Sequence, residues 1–165
     1  MTVFAVLKFP TEEGAERISP ILQKLQKQRL IQIEDGMMLT WPQGSEKPRI
    51  KRLSQLTGQN VLSETFWGLF VGLLFAVPFF GEETGTTIST LTRHFALYGI
   101  DEHFINEVRN KIAEGTSALF LITSRAALDK VVLAVKDTPL EIIPADLSPE
   151  QEGLLLKSFM EESLS

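Results

Sequence analysis

The chain has 165 residues, 44% of them hydrophobic and 22% charged, which fits one folded domain and excludes a disordered or low-complexity chain. Its 16 Lys and Arg against 21 Asp and Glu leave a net charge of −5, which speaks against a binder of DNA. The absence of Cys removes disulfides, thiolate metal sites and thiol nucleophiles. Met1 to Phe9 shows no signal-peptide pattern, so the expected address is the cytoplasm, with a place at or in the inner membrane as the alternative.

Val3 to Phe9 is short, β-branched and aromatic, and predicts a strand. Pro10-Thr11-Glu12-Glu13 then opens a helix with Thr11 as N-cap, running to about Arg29 with Ile18, Leu22 and Leu25 on one face and a bend at Pro20. Leu30 to Glu34 alternates as a strand, Asp35-Gly36 predicts a two-residue hairpin turn, and Met37 to Trp41 returns. After the loop Pro42 to Pro48, Arg49 to Leu53 reads as an edge strand. Lys47, Arg49, Lys51 and Arg52 form a local basic patch whose anionic partner would be a lipid headgroup or RNA; the plainer reading is an edge kept soluble by charge.

Helical signals dominate from Ser54 to Glu114. Phe66 to Phe80 is an unbroken apolar run of 15 residues holding five of the 11 Phe, and within it Gly68, Gly72 and Ala76 recur every four residues, one stripe of a helix. After Pro78, Gly81, Gly85 and Ser89 repeat the spacing, which predicts an antiparallel helical hairpin with small residues at its seam. Fifteen helical residues cover roughly 22 Å against a hydrocarbon core of about 30 Å, and Glu64, Glu82 and Glu83 bound the run, so the membrane-inserted reading ranks below self-association. A third reading is an ordinary core helix. The contacts expected for a homo-oligomer are Phe66, Trp67, Gly68, Gly72, Phe75, Ala76, Gly81 and Gly85.

Ile88, Leu91, Phe95 and Tyr98 share a helical face that Gly99 ends; Asp101 caps a further helix carrying Phe104, Ile105, Val108 and Ile112, closed by Gly115. Ser117 to Thr123 predicts a strand, Ser124 caps a helix over 125–136, and Leu140 to Ile143 predicts the last strand. Ser148, Pro149 and Gln151 form a capping-box start for another helix. Together these predict a single α+β domain. Residues 1–53 and 116–147 supply two strand-helix-strand halves of a ferredoxin-like antiparallel sandwich, with its two helices on one face. Residues 54–115 are a helical insertion with the glycine-rich hairpin and one additional helix, and 148–165 supply a C-terminal helix.

Several phrases together make the chain similar to a bacterial family known as domain of unknown function twelve sixty-nine. They are FAVLKFPTEEGAE, WGLFVGLLFAVPFFG, YGIDEHFINEVRNKIAEGTSALFLI, DKVV and DLSPEQEGLL. The resemblance implies a small α/β protein with a glycine-rich helical pair and no assigned catalytic residues; some relatives are described as stress-associated and many are labelled predicted membrane protein. The second arm, GEETGTTISTLTRHF, departs from the Gly and Ala content such families show there.

Chemistry is sparse. His103 and Glu107 lie one helical turn apart, half of a metal or acid-base pair, and read more simply as a surface ion pair. His94 beside Arg93 suits a structural role, Glu82 and Glu83 suit helix capping, and Asp129 with Lys130 lacks a third convergent group. No phosphate-loop or dinucleotide fingerprint occurs. The expectation is therefore a protein without catalytic residues, metal or cofactor that assembles with itself. The alternatives are a membrane-associated stress protein and a small-ligand regulatory module.

Overall fold

A computed structural model describes residues 2–53, 62–75 and 88–159. Five strands, β1 (Thr2–Phe9), β2 (Ile33–Thr40), β3 (Arg49–Arg52), β4 (Ser117–Ser124) and β5 (Glu141–Leu147), make one sheet in the order β3-β2-β4-β1-β5, with every neighbouring pair antiparallel. Six helices accompany them among the described residues: α1 (Gly14–Lys27), α2 (Glu64–Phe75), α3 (Ile88–Leu97), α4 (Glu102–Lys111), α5 (Arg125–Ala134) and α6 (Pro149–Phe159).

The two central strands are apolar almost throughout because both of their faces are covered, a pattern usual for strands sheltered on two sides. Val3, Ala5, Leu7 and Phe9 of β1 pack with Ile18 and Leu22 of α1 and with Leu128 and Val131 of α5. Phe4 and Val6 point the other way, into a second core with Phe66 and Phe70 of α2, Phe95 of α3, Phe104 and Val108 of α4 and Leu155 of α6. The helices between the two strand-helix-strand units thus roof the sheet face that α1 and α5 leave open. Phe4 sits at the middle of an aromatic cluster, with ring centroids 5.1 Å from Phe70, 5.8 Å from Phe104 and 5.9 Å from Trp67.

Most helix boundaries follow local chemistry. Asp101 Oδ1 accepts from the Phe104 amide at 2.9 Å, and Ser124 Oγ accepts from the Ala127 amide at 3.0 Å. The capping box at α6 is reciprocal: the Gln151 amide donates to Ser148 Oγ and the Ser148 amide to Gln151 Oε1. Gly99 ends α3 at φ +89°, and a Cβ there would lie 2.8 Å from both Leu147 Cδ2 and Gln151 Oε1, so a side chain is refused by backbone and by space.

Two local expectations are corrected. Thr11 does not cap α1. Glu13 occupies the N-cap without a side-chain bond, and the buried Ser117 of β4 serves instead: its Oγ accepts from the Ala15 amide at 3.0 Å and donates to the Thr11 carbonyl at 2.7 Å. Asp35-Gly36 is not a hairpin turn either, since β2 runs through it from Ile33 to Thr40. Glycine is needed there because a Cβ would come 2.9 Å from Leu53 Cδ1 and 3.0 Å from the Phe120 carbonyl oxygen.

Arg109 of α4 reaches across to α2, where its Nε donates to the Leu74 carbonyl at 2.8 Å and its Nη2 to the Leu73 carbonyl. The guanidinium thus puts two donors and a positive charge on carbonyls of the last described turn of α2. Arg109→Ala is expected to cost about 1–2 kcal/mol in urea unfolding, and Arg109→Lys to recover only part, because an ammonium does not fork across two carbonyls.

Candidate functional site

A β-bulge builds the most polar part of the interior. Ile33, Met37 and Leu39 share parity along β2, yet Ile33 belongs to the α1 core and Met37 and Leu39 to the α2 core. The register against β4 shifts between Ile33 and Asp35, and the extra residue turns everything after it to the other face. Asp35 is thereby carried inward, 1% exposed, onto the face where β3 presents Arg52.

Arg52 Nη2 lies 3.1 and 3.2 Å from the two oxygens of the Asp35 carboxylate and also donates to the Leu62 carbonyl at 3.0 Å. Asp35 accepts two amides besides, Gly36 at 2.7 Å on Oδ1 and Leu62 at 2.6 Å on Oδ2. The guanidinium carbon stands 5.7 Å from the centre of the Trp67 ring, a cation-π distance. This cluster pins the chain just ahead of α2 to the β2-β3 edge of the sheet.

Beside the pair lies a cavity of about 140 Å³ lined by Glu34, Asp35, Leu62, Ile122, Glu152, Leu155 and Leu156. It opens between β2, β4 and α6. Thr2 Oγ1 donates to Glu152 Oε1 at 2.7 Å from the neighbouring strand β1. Burial, and then the negative charge of Glu152, push the Glu34 carboxyl above the usual carboxylate range. With Asp35 balanced by Arg52, two half-buried carboxylates remain in an otherwise apolar recess, an arrangement suited to holding a proton. Among the described residues no three metal-ligating side chains gather.

The residues expected at a self-association seam are divided by the fold. Phe66, Trp67 and Gly72 are buried within the chain's own core, and Phe75 is half-buried with its ring edge-on to Trp41 at 5.3 Å. Gly68 alone of the described set faces outward, with no atom within 4 Å of a Cβ built on it. Ala76, Gly81 and Gly85, like Glu82 and Glu83, lie outside the described residues, as does the expected hairpin turn.

Of the basic patch, Lys47, Arg49 and Lys51 are exposed, while Arg52 is corrected to a partner of Asp35, because alternation on β3 sends it to the opposite face. Arg49 and Lys51 line a groove of about 470 Å³ against α1, with Glu16 in the same wall. His94, His103 and Arg93 are exposed, and Lys130 donates to the Leu30 carbonyl at 3.0 Å. Sequence reasoning missed Asp35 as an interior residue because Asp-Gly reads as a turn; its one signal was a carboxylate set in an apolar alternation. Nothing local marks Glu152 as the neighbour of Glu34.

The family profile described as "Protein of unknown function (DUF1269)" matches residues 61–160, more than half of the chain. The chain belongs to this family. Searches of curated proteins and of solved structures give no match. The part of this DUF1269 protein that the match covers runs from just before α2 through α6 and includes Glu152, whereas Glu34, Asp35 and Arg52 precede it. Among the described residues no helix is long and apolar enough to cross a membrane.

Proposed function

We propose that this DUF1269 protein is a non-enzymatic, ferredoxin-like module that assembles with copies of itself through the outward face of α2. The ferredoxin-like reading is supported by two interleaved strand-helix-strand units. β4 lies between β1 and β2, β1 lies between β4 and β5, and α1 and α5 cover one face together. β3 is an added edge strand.

One observation carries the assembly reading. Gly68 stands exposed on α2 with no described atom within 4 Å of a Cβ built on it, beside exposed Glu64 and Thr65 and half-buried Leu69, so a second backbone can approach closely there. The partner is a second copy of the chain. Light scattering on a sizing column in detergent-free buffer should give a discrete multiple of 18.5 kDa. Gly68→Leu should return the single-chain mass with an unchanged circular dichroism spectrum, since a Cβ at that position has no described atom within 4 Å. A wild-type monomer, or a Gly68→Leu protein of undiminished mass, would overturn the proposal.

A further inference from the structure

We propose that Glu34 and Glu152 form a pH-sensitive latch that holds α6 against β2 when Glu34 carries a proton and loosens α6 when it does not. The geometry begins with the path of α6, which starts at the end of edge strand β5 and lies over the central strands. Glu152 meets Thr2 of β1, and it lines the same cavity as Ile122 of β4 and Glu34 of β2. The two carboxylates thus sit on separate elements across one recess of about 140 Å³.

The two sides of that recess are held very differently. On the β2 side Glu34 is the bulged residue, set between Ile33 and Asp35, which both pair with β4, while β3 joins the strand from Met37 onward. Helix α6 has no strand ladder: it is held by one buried side chain, Leu155, by the capping box at its start and by Thr2 on Glu152. At its far end the Phe159 ring lies against Phe66 and Tyr98 and the Ser63 amide donates to the Phe159 carbonyl at 2.7 Å, so its middle turn beside the cavity is the least tied. Strain placed between Glu34 and Glu152 is therefore relieved by moving the helix.

The charged groups facing Glu34 across the cavity are Glu152 from α6 and, from its own strand, Asp35, whose charge is matched by Arg52 of β3; Leu62, Ile122, Leu155 and Leu156 complete the wall. Among the described residues, no cation within the lining offsets Glu152. Burial and that charge raise the Glu34 carboxyl, so the folded state binds the proton more tightly than the unfolded chain. The sign follows. The stabilisation is present at low pH and is lost as pH rises through the folded-state value of Glu34.

Hydrogen exchange of the full chain, corrected for the pH dependence of intrinsic exchange, tests the latch. Protection of the α6 amides should fall at least about threefold between roughly pH 5 and roughly pH 8, while α5 on the opposite face keeps its protection. Glu34→Gln should abolish the fall. Glu152→Gln should do the same, as it keeps an acceptor for Thr2 and removes the opposing charge. Constant α6 protection in the wild type overturns the latch, and so does a fall that persists in either variant.

Discussion

Asp35→Ala is expected to cost about 3–5 kcal/mol, the range for breaking one side of a buried ion pair. The loss has three parts that act together. Arg52 keeps its charge in a site that is largely closed to water, the Leu62 and Gly36 amides lose their acceptor, and the chain ahead of α2 loses its anchor on the sheet. Asp35→Asn should not rescue it, because an amide nitrogen would face either the guanidinium or an amide donor. Asp35→Leu combined with Arg52→Met should recover much of the loss, since matched apolar groups remove the uncompensated charge. Urea unfolding followed by circular dichroism reads all three, and an Asp35→Ala cost below about 1 kcal/mol would show that the pair is a bystander.

Phe70→Ala is expected to cost a comparable 3–5 kcal/mol or so, but by a different route. Phe70 has no exposed surface and bridges the two most central strands, with ring centroids 5.1 Å from Phe4 of β1 and 5.5 Å from Phe120 of β4. Truncation leaves a cavity in the layer between α2 and the sheet, where rings fixed on three elements have little freedom to close it. At protein concentrations low enough for both to be single chains, the same unfolding curves should show Gly68→Leu, two residues away on the outer side of α2, near the wild type. A small effect at Phe70 would mean that α2 rests on the sheet far more loosely than its contacts indicate.

Local chemistry made much of this fold legible. The Asp101 and Ser124 caps, the Ser148-Gln151 box and the Gly99 stop depend on residues within a few positions of one another, and the structure has all four. Legibility ended where a partner comes from far along the chain. Ser117 caps α1 from more than a hundred positions away, and an Asp-Gly step that favours a turn in isolation is held extended by the ladder to β4 on one side and by the Leu53 amide donating to the Gly36 carbonyl at 3.0 Å on the other. The same limit governs the site. An apolar helix looks alike in sequence whether it faces a second subunit or the far side of its own sheet; Phe66 and Trp67 resolve to the latter, and Gly68 faces out. Glu34 and Glu152 have no sequence relation to each other at all, because the path of α6 over the sheet brings them together.

The position of β1 governs how the chain reaches this structure. It bonds to β4 on one side and β5 on the other, and those two strands do not bond to each other. Everything from α1 through α4 lies between β1 and its first partner in the chain, so the centre of the sheet closes by long-range contacts, the kind associated with slow folding. Until β4 is made, the apolar strand Val3 to Leu7 has no native neighbour, and that interval is when mispairing with other chains is most damaging. The family match at 61–160 therefore does not mark a folding unit: a chain cut to it would hold β4 and β5 without the strand that joins them.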